Sequence, residues 1–266
     1  MRNKIYGNIK AMIVQSLWIG ELTNMEIMCI KSFLEHQHQF HLYTYQPIEN
    51  IPDGTVVLDA NEIMPESEVF KLKDQYLPFS DIWRYWLLYK KGGIWVDMDM
   101  VCVSDMIDII DTPFIFSSER TIQKGAYKLE AEYVANIGFL KAPIGSEFYR
   151  ELIDKCMNIH AQGKNKDKIR YMRVLREMIV KYDYQQYIWK PKYFCPIDWW
   201  YAKDLFYSNP SEFKEKYGVP WNQIEFLECI TIHLWRNLAT HKYKLDLNSD
   251  YPSQSIYSLL SNRFLK

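Results

Sequence analysis

The sequence predicts one α/β domain, with a mixed, mostly parallel sheet, helices on both faces and helical additions. Three observations carry this reading. The first hundred residues alternate short apolar or aromatic runs with longer runs of helical spacing. At 266 residues the chain is long enough for one large core, and α/β domains of this length often stay single. No internal repeat, low-complexity tract or clear linker divides it.

In chain order, a strand is expected over residues 11–18, a helix over 24–36 and a second strand over 39–45. After Pro52-Asp53-Gly54 comes a short extended piece, residues 55–58. Phe79-Ser80-Asp81 reads as a helix start, with Ser80 as the N-cap and Asp81 at the positive end of the dipole. Residues 82–91 contain no Gly or Pro, and Gly92-Gly93 stops the helix. Ile94-Trp95-Val96 reads as a strand running on into Asp97-Met98-Asp99. In the second half, residues 146–160 have helical apolar spacing, and residues 168–182 form a further helix with a basic flank. Residues 182–207 are densely aromatic, with two prolines and irregular spacing, and are expected to be loop-rich.

Composition narrows the function. Hydrophobic residues make up 48% and charged residues 24%, as in an ordinary folded protein. A net charge of −1 gives no basic footprint, so no nucleic-acid partner is expected. No apolar stretch reaches the ~18 residues of a membrane span, and no secretory signal is expected at the N-terminus. Cys29, Cys102, Cys156, Cys195 and Cys229 are scattered and odd in number, which suits reduced thiols in a cytoplasmic protein better than zinc or disulfides. Aromatic residues reach 16%, including 20 Tyr and 9 Trp; such side chains fill cores and also face sugars and membrane interfaces.

The most informative chemistry lies at Asp97-Met98-Asp99. In an extended chain alternate side chains share a side, so the two carboxylates converge. Like charges held that close call for a cation between them or a shared proton. Oxygen ligands suit Mg²⁺ or Mn²⁺, and such ions also bind substrate phosphates. The plainer reading is two solvated aspartates on a surface strand or turn. Asp81 and Arg84, three apart on one helical face, add a carboxylate and a guanidinium beside this motif. In open parallel sheets ligands bind beyond the carboxyl ends of strands, where Trp18 and Asp97 both fall.

This combination resembles the sugar-binding DXD glycosyltransferases: Ser80-Asp81, Arg84 three residues on, Gly92-Gly93, then a strand ending in Asp97-Met98-Asp99. That group includes family-32 transferases of capsule, lipopolysaccharide and mannan synthesis and the glucosylating domains of large clostridial toxins. Weaker matches follow in the family's order: Trp18-Ile19-Gly20, Cys29 to Phe33, Asn136-Ile137-Gly138-Phe139, Tyr193-Phe194-Cys195-Pro196 and His233-Leu234-Trp235.

The resemblance implies a GT-A-like fold, with residues 1–105 as the nucleotide-sugar-binding half and 106–266 as the acceptor-side half. It implies a retaining transferase using a nucleotide sugar, UDP-linked, with Mn²⁺ or Mg²⁺. Asp99 would ligate the metal directly; Asp97 would reach the metal through water, or the ribose or sugar. His233 would complete the metal shell. Asp81 and Arg84 would contact donor-sugar hydroxyls, with Arg84 also balancing phosphate charge. Trp18 would stack on uracil, Trp235 would join the donor site, and Asn136 would lie near the reacting carbon. For Trp18, His233 and Asn136 the plainer alternatives are core packing, a satisfied core histidine and a local cap. The implied acceptor is a glycan or lipid-linked glycan of surface-polysaccharide synthesis, reached in the cytoplasm or at the inner face of the membrane. Lys164, Lys166, Lys168, Arg170, Arg173 and Arg176 form a solvated basic face or an attraction for anionic lipid. Rival readings are a haloacid-dehalogenase-type phosphatase, a non-catalytic sugar-nucleotide or glycan binder, and an effector that glycosylates proteins.

Overall fold

The structure, a computed structural model, describes residues 11–71, 76–106, 109–121, 132–162, 171–209, 211–212 and 229–266. Its strands are β1 (Ile13–Leu17), β2 (Gln39–Thr44), β3 (Val56–Asp59), β4 (Gly93–Val96), β5 (Met100–Cys102), β6 (Ile115–Thr121), β7 (Glu132–Ala142) and β8 (Thr231–His233). The α-helices are α1 (Asn24–Glu35), α2 (Leu77–Lys91), α3 (Glu147–Ala161), α4 (Tyr171–Lys181), α5 (Pro191–Phe194), α6 (Asp204–Tyr207) and α7 (Ile256–Phe264).

Six strands form one sheet in the order β3-β2-β1-β4-β7-β6. The first four are parallel, and β7 runs antiparallel to both β4 and β6. Strands β5 and β8 pair antiparallel in a small separate sheet, with Met100 opposite His233. The chain proceeds from β1 through β2 to β3 in one direction, and β4 then joins the other side of β1. The β1–β4 boundary is therefore a switch point, where a crevice opens beyond the strands' carboxyl ends.

Period-two alternation divides the core between the two faces. In β4, Ile94 and Val96 join Met28, Cys29 and Phe33 of α1 and Phe264 of α7 on one face. Trp95 points the other way, to Trp83 and Leu87 of α2, Tyr149 of α3 and Leu175 of α4. Full burial of side chains such as Phe33 or Leu87 stabilises the fold by on the order of 2–3 kcal/mol each.

Two local expectations are corrected. Helix α2 begins at Leu77, with Tyr76 in the N-cap position and proline in the first turn. Proline's fixed φ and missing N–H suit that position, so the helix starts three residues before Ser80. Ser80 lies inside the helix and donates to the Leu77 carbonyl at 2.9 Å. Likewise, Asp97-Met98-Asp99 is not strand: β4 stops at Val96, and the Met100 N–H bonds the Asp97 carbonyl at 3.1 Å, closing a turn.

The aromatic segment is loop-rich as expected. Short helices and 3₁₀ turns carry it, and Phe194 stacks on Phe139 with ring centroids 4.3 Å apart. In α4, Arg173 pairs with Glu177 at 3.3 Å on an exposed face, while Arg176 turns inward to the Ala135 carbonyl at 2.7 Å. Lys164, Lys166, Lys168 and Arg170 lie outside the described residues.

Candidate active site

A cleft of about 280 Å³ opens beyond β1 and β4, with Trp18, Ser80, Arg84, Asp97, Asp99 and Arg236 on its walls. Three segments deliver these groups. The turn after β1 supplies Trp18, helix α2 supplies Ser80 and Arg84, and the turn after β4 supplies both aspartates. The segment after β8 adds Arg236, Asn237 and His241.

The Asp97-x-Asp99 turn converges with β8. One ligand atom from each of Asp97, Asp99 and His233 lies within 4.8 Å of the others, close enough to share one ion. Two carboxylates and an imidazole form a donor set acceptable to Mn²⁺ or Mg²⁺, so these residues fit the metal that the motif implies.

Each carboxylate also has its own counter-charge. The Asp97 Oδ1 accepts from Arg84 Nη1 at 2.5 Å and from the Trp95 indole N–H at 3.0 Å. The Asp99 Oδ2 accepts from the Arg236 backbone N–H at 2.8 Å and lies 3.2 Å from His233 Nε2. The charge repulsion that the sequence raises is thus answered from outside the pair. Burial pushes the Asp97 carboxyl up, against the pull of Arg84. Burial acts the same way on Asp99, but His233 and the Arg236 N–H outweigh it and hold that carboxyl below its ordinary range. Burial would depress the His233 imidazole; Asp99 beside it dominates and raises it well above the usual value.

Arg84 is the hub of α2. It is only 2% exposed, and its guanidinium lies 4.6 Å from the Trp95 ring centroid. Its Nε donates to the Ser80 carbonyl at 3.0 Å, Nη1 also donates to the Ile137 carbonyl at 2.9 Å, and Nη2 donates to Ser80 Oγ at 3.0 Å. Asp81 Oδ1 lies 3.3 Å from Nη2. Burial pushes the Asp81 carboxyl up to about 6, with Arg84 opposing. The helical i,i+3 spacing does bring Asp81 and Arg84 together.

Of the remaining candidates, Trp18 lines the cleft, and Asn136 and Trp235 stand further back. Trp18 is half-buried at the cleft wall, with its indole N–H donating to the Glu21 carbonyl at 3.0 Å. Asn136 is buried in β7, where its Oδ1 accepts from Ser117 Oγ and from the Gly138 N–H, and its Nδ2 lies 3.3 Å from Cys195 Sγ. That sulfur lies 3.6 Å from His233 Nδ1, so Asn136 and Cys195 back the His233 imidazole. Trp235 is packed behind the site: its ring centroid lies 3.9 Å from that of His233, and its N–H donates to the Ile197 carbonyl at 2.9 Å.

Sequence reasoning missed Glu26 and the role of Arg236. Glu26 is fully buried; its Oε2 accepts from the Thr23 N–H at 2.7 Å, and its Oε1 accepts from Arg236 Nε at 2.5 Å. The Thr23-Asn24-Met25-Glu26 spacing of a capping box is the signal that marks Glu26.

Residues 23–116 match the family model described as the glycosyltransferase sugar-binding region containing a DXD motif. The matched region contains Asp81, Arg84, Asp97 and Asp99. Among proteins of curated function none matches. Similar solved structures include the PaToxG glycosyltransferase, at 12% identity and a TM-score of 0.47, covering 65% of this chain and 69% of that one. They also include the glycosyltransferase GlyE of Streptococcus pneumoniae TIGR4, at 13% identity and a TM-score of 0.45. Its apo form is similar at 12% identity and a TM-score of 0.43. Both GlyE comparisons cover 96% of this chain, which spans 63% of the GlyE chain.

Proposed function

We propose that the chain is a metal-dependent, retaining glycosyltransferase that moves a sugar from a UDP-sugar to a hydroxyl of a glycan or lipid-linked glycan. The observation that carries this reading is the convergence of Asp97, Asp99 and His233 at the β1–β4 switch point. Asp97, Asp99 and His233 would hold a divalent cation, which would supply Lewis acidity to a leaving diphosphate.

The protein's own groups do the rest by orientation. Arg84 and Trp95 hold Asp97 Oδ1, leaving Oδ2 for the cleft. The Arg236 N–H and His233 fix Asp99 in the same manner. Such preset ligands need little rearrangement when the donor arrives, which lowers the barrier to charge separation. Trp18 offers an indole face at the wall for the base. Asp81 acts through Arg84, whose position it shares. Attack by the acceptor hydroxyl from the face that the diphosphate leaves accounts for retention without a covalent nucleophile.

The setting we propose is bacterial surface-polysaccharide assembly at the inner face of the membrane. Among the described residues, no helix is long and apolar enough to cross a membrane.

The test is UDP release from a panel of UDP-sugars, with and without Mn²⁺, in the wild type and in the Asp97→Ala/Asp99→Ala variant. Mn²⁺-dependent release from one donor, lost in a variant with unchanged circular dichroism, is the expected result. Equal release by the double variant would sink the site assignment. No release from any UDP-sugar or from GDP-mannose would sink the transferase reading.

A further inference from the structure

A diphosphate entering this cleft meets two carboxylates and needs cationic N–H donors. Arg84 cannot provide them as it stands. A guanidinium has five N–H groups. In Arg84 four of them bond the Ser80 carbonyl, Asp97 Oδ1, the Ile137 carbonyl and Ser80 Oγ, and Asp81 Oδ1 lies 3.3 Å from Nη2 as an ion pair without a hydrogen bond. With 2% exposure and one face against Trp95, the group is spent on holding the turn and the helix together.

Arg236 also lies against an indole, but it differs in exposure and in the use of its N–H groups. Its backbone N–H bonds Asp99, so the residue begins at the metal-facing cluster. Its guanidinium carbon lies 4.8 Å from the Trp18 ring centroid, so the side chain reaches the wall where a base would stack. It thus spans the gap that a diphosphate must span, from the cation to the nucleoside. Only Nε is engaged, by Glu26 Oε1; among the described residues the N–H groups of both Nη atoms have no partner. The side chain keeps 31% of its surface exposed, on the cleft side. Glu26, wholly buried and gripped by the Thr23 N–H, is a fixed anchor that sets the direction of the fork. A forked guanidinium with free N–H pairs is suited to two phosphate oxygens at once.

We infer that Arg236 is the side chain that binds the donor's diphosphate, with Glu26 as its positioning residue, and that Arg84 organises the metal-facing turn instead. This inference rests on the nucleotide-sugar reading above. It moves the phosphate contact from the region matched to the family, residues 23–116, to the segment after β8.

The test separates the two claims by comparing ligands with and without phosphate. Calorimetric titrations with UDP and GDP, and with uridine and guanosine, are made in Mn²⁺ on the wild type and on Arg236→Ala, Arg236→Lys and Glu26→Gln. In the wild type a diphosphate should bind at least tenfold more tightly than its nucleoside. Arg236→Ala should remove most of that ratio while nucleoside affinity stays within about twofold, which also shows that the variant is folded. Arg236→Lys keeps a cation opposite Glu26 without the fork and should lose part of the ratio. Glu26→Gln should lower diphosphate affinity severalfold by freeing the guanidinium. An unchanged ratio in both Arg236 variants would overturn the assignment and leave the donor reading standing. A wild type that binds no diphosphate would overturn both.

Discussion

At the scale of single residues, the site is a problem in placing charge. Asp81, Asp97 and Asp99 gather around one small volume, and Arg84 meets two of them through near-complete burial. Removing one partner of a buried pair leaves a desolvated charge behind, at about 3–5 kcal/mol. Arg84→Met should therefore lower the free energy of unfolding by about that amount, seen as a fall in the urea midpoint at neutral pH. An unchanged midpoint would show that Asp97 and Asp81 manage without the guanidinium. Part of this was legible in the sequence. The pairing of Asp81 with Arg84 follows from helical spacing, and the meeting of Asp97 with Asp99 follows from their closeness in the chain. Their convergence through a turn instead of a strand was not legible, because the Asp97–Met100 hydrogen bond depends on where β4 ends. The ion pair of Arg236 with Glu26 joins residues 210 positions apart, and no local pattern encodes such a meeting.

At the scale of elements, precision at the site depends on how α2 hands the chain to β4. Gly92 closes the helix at φ 65°, and its N–H bonds the Leu88 carbonyl at 3.0 Å. A Cβ there would lie 2.6 Å from the Ile144 backbone nitrogen, so no side chain fits without moving the loop after β7. Gly145 makes a useful contrast: its φ is 70°, yet a Cβ would meet nothing within 4 Å. Gly145→Ala should cost only the left-handed conformation, about 1 kcal/mol. Gly92→Ala adds the backbone collision and should cost roughly 2–3 kcal/mol more. Thermal melts of the two variants test this; equal losses would mean that the loop after β7 yields freely. The Gly-Gly stop was plain in the sequence, whereas the early start of α2 was not. Ser80 and Asp81 look like cap residues by type, but proline in the first turn nucleates the helix ahead of them.

At the scale of the whole molecule, the alternating pattern of the first hundred residues was enough to place β1, α1, β2, β3, α2 and β4. The antiparallel β6–β7 pair and the small β5–β8 sheet depend on contacts between distant segments, and β8 is only three residues long. The whole fold also has a pH response, to which His38 contributes a separable part. This imidazole lies between α1 and β2 and is 3% exposed. Its Nδ1 lies 3.5 Å from the Met12 N–H, and among the described residues its Nε2 has no hydrogen-bond partner. Burial, helped by nearby His36 and opposed by Asp105, lowers its pKa to about 4. Between pH 6.5 and 4 the unfolded chain therefore binds a proton that the folded chain refuses, and stability falls as pH falls. The full loss approaches about 3 kcal/mol near pH 4. Asp81 acts with the opposite sign over the same range, because its folded carboxyl titrates at about 6, above the unfolded value, and gains stability as pH falls. The total curve mixes these effects, so the measurement is a difference: urea unfolding of wild type and His38→Asn, which keeps an acceptor for Met12, at steps from pH 7 to 4. The wild type should lose about 3 kcal/mol more than the variant over that span, with the gap opening below pH 6.5. Parallel curves would mean that the His38 ring finds a way to be protonated in the folded state, with water reaching it between α1 and β2.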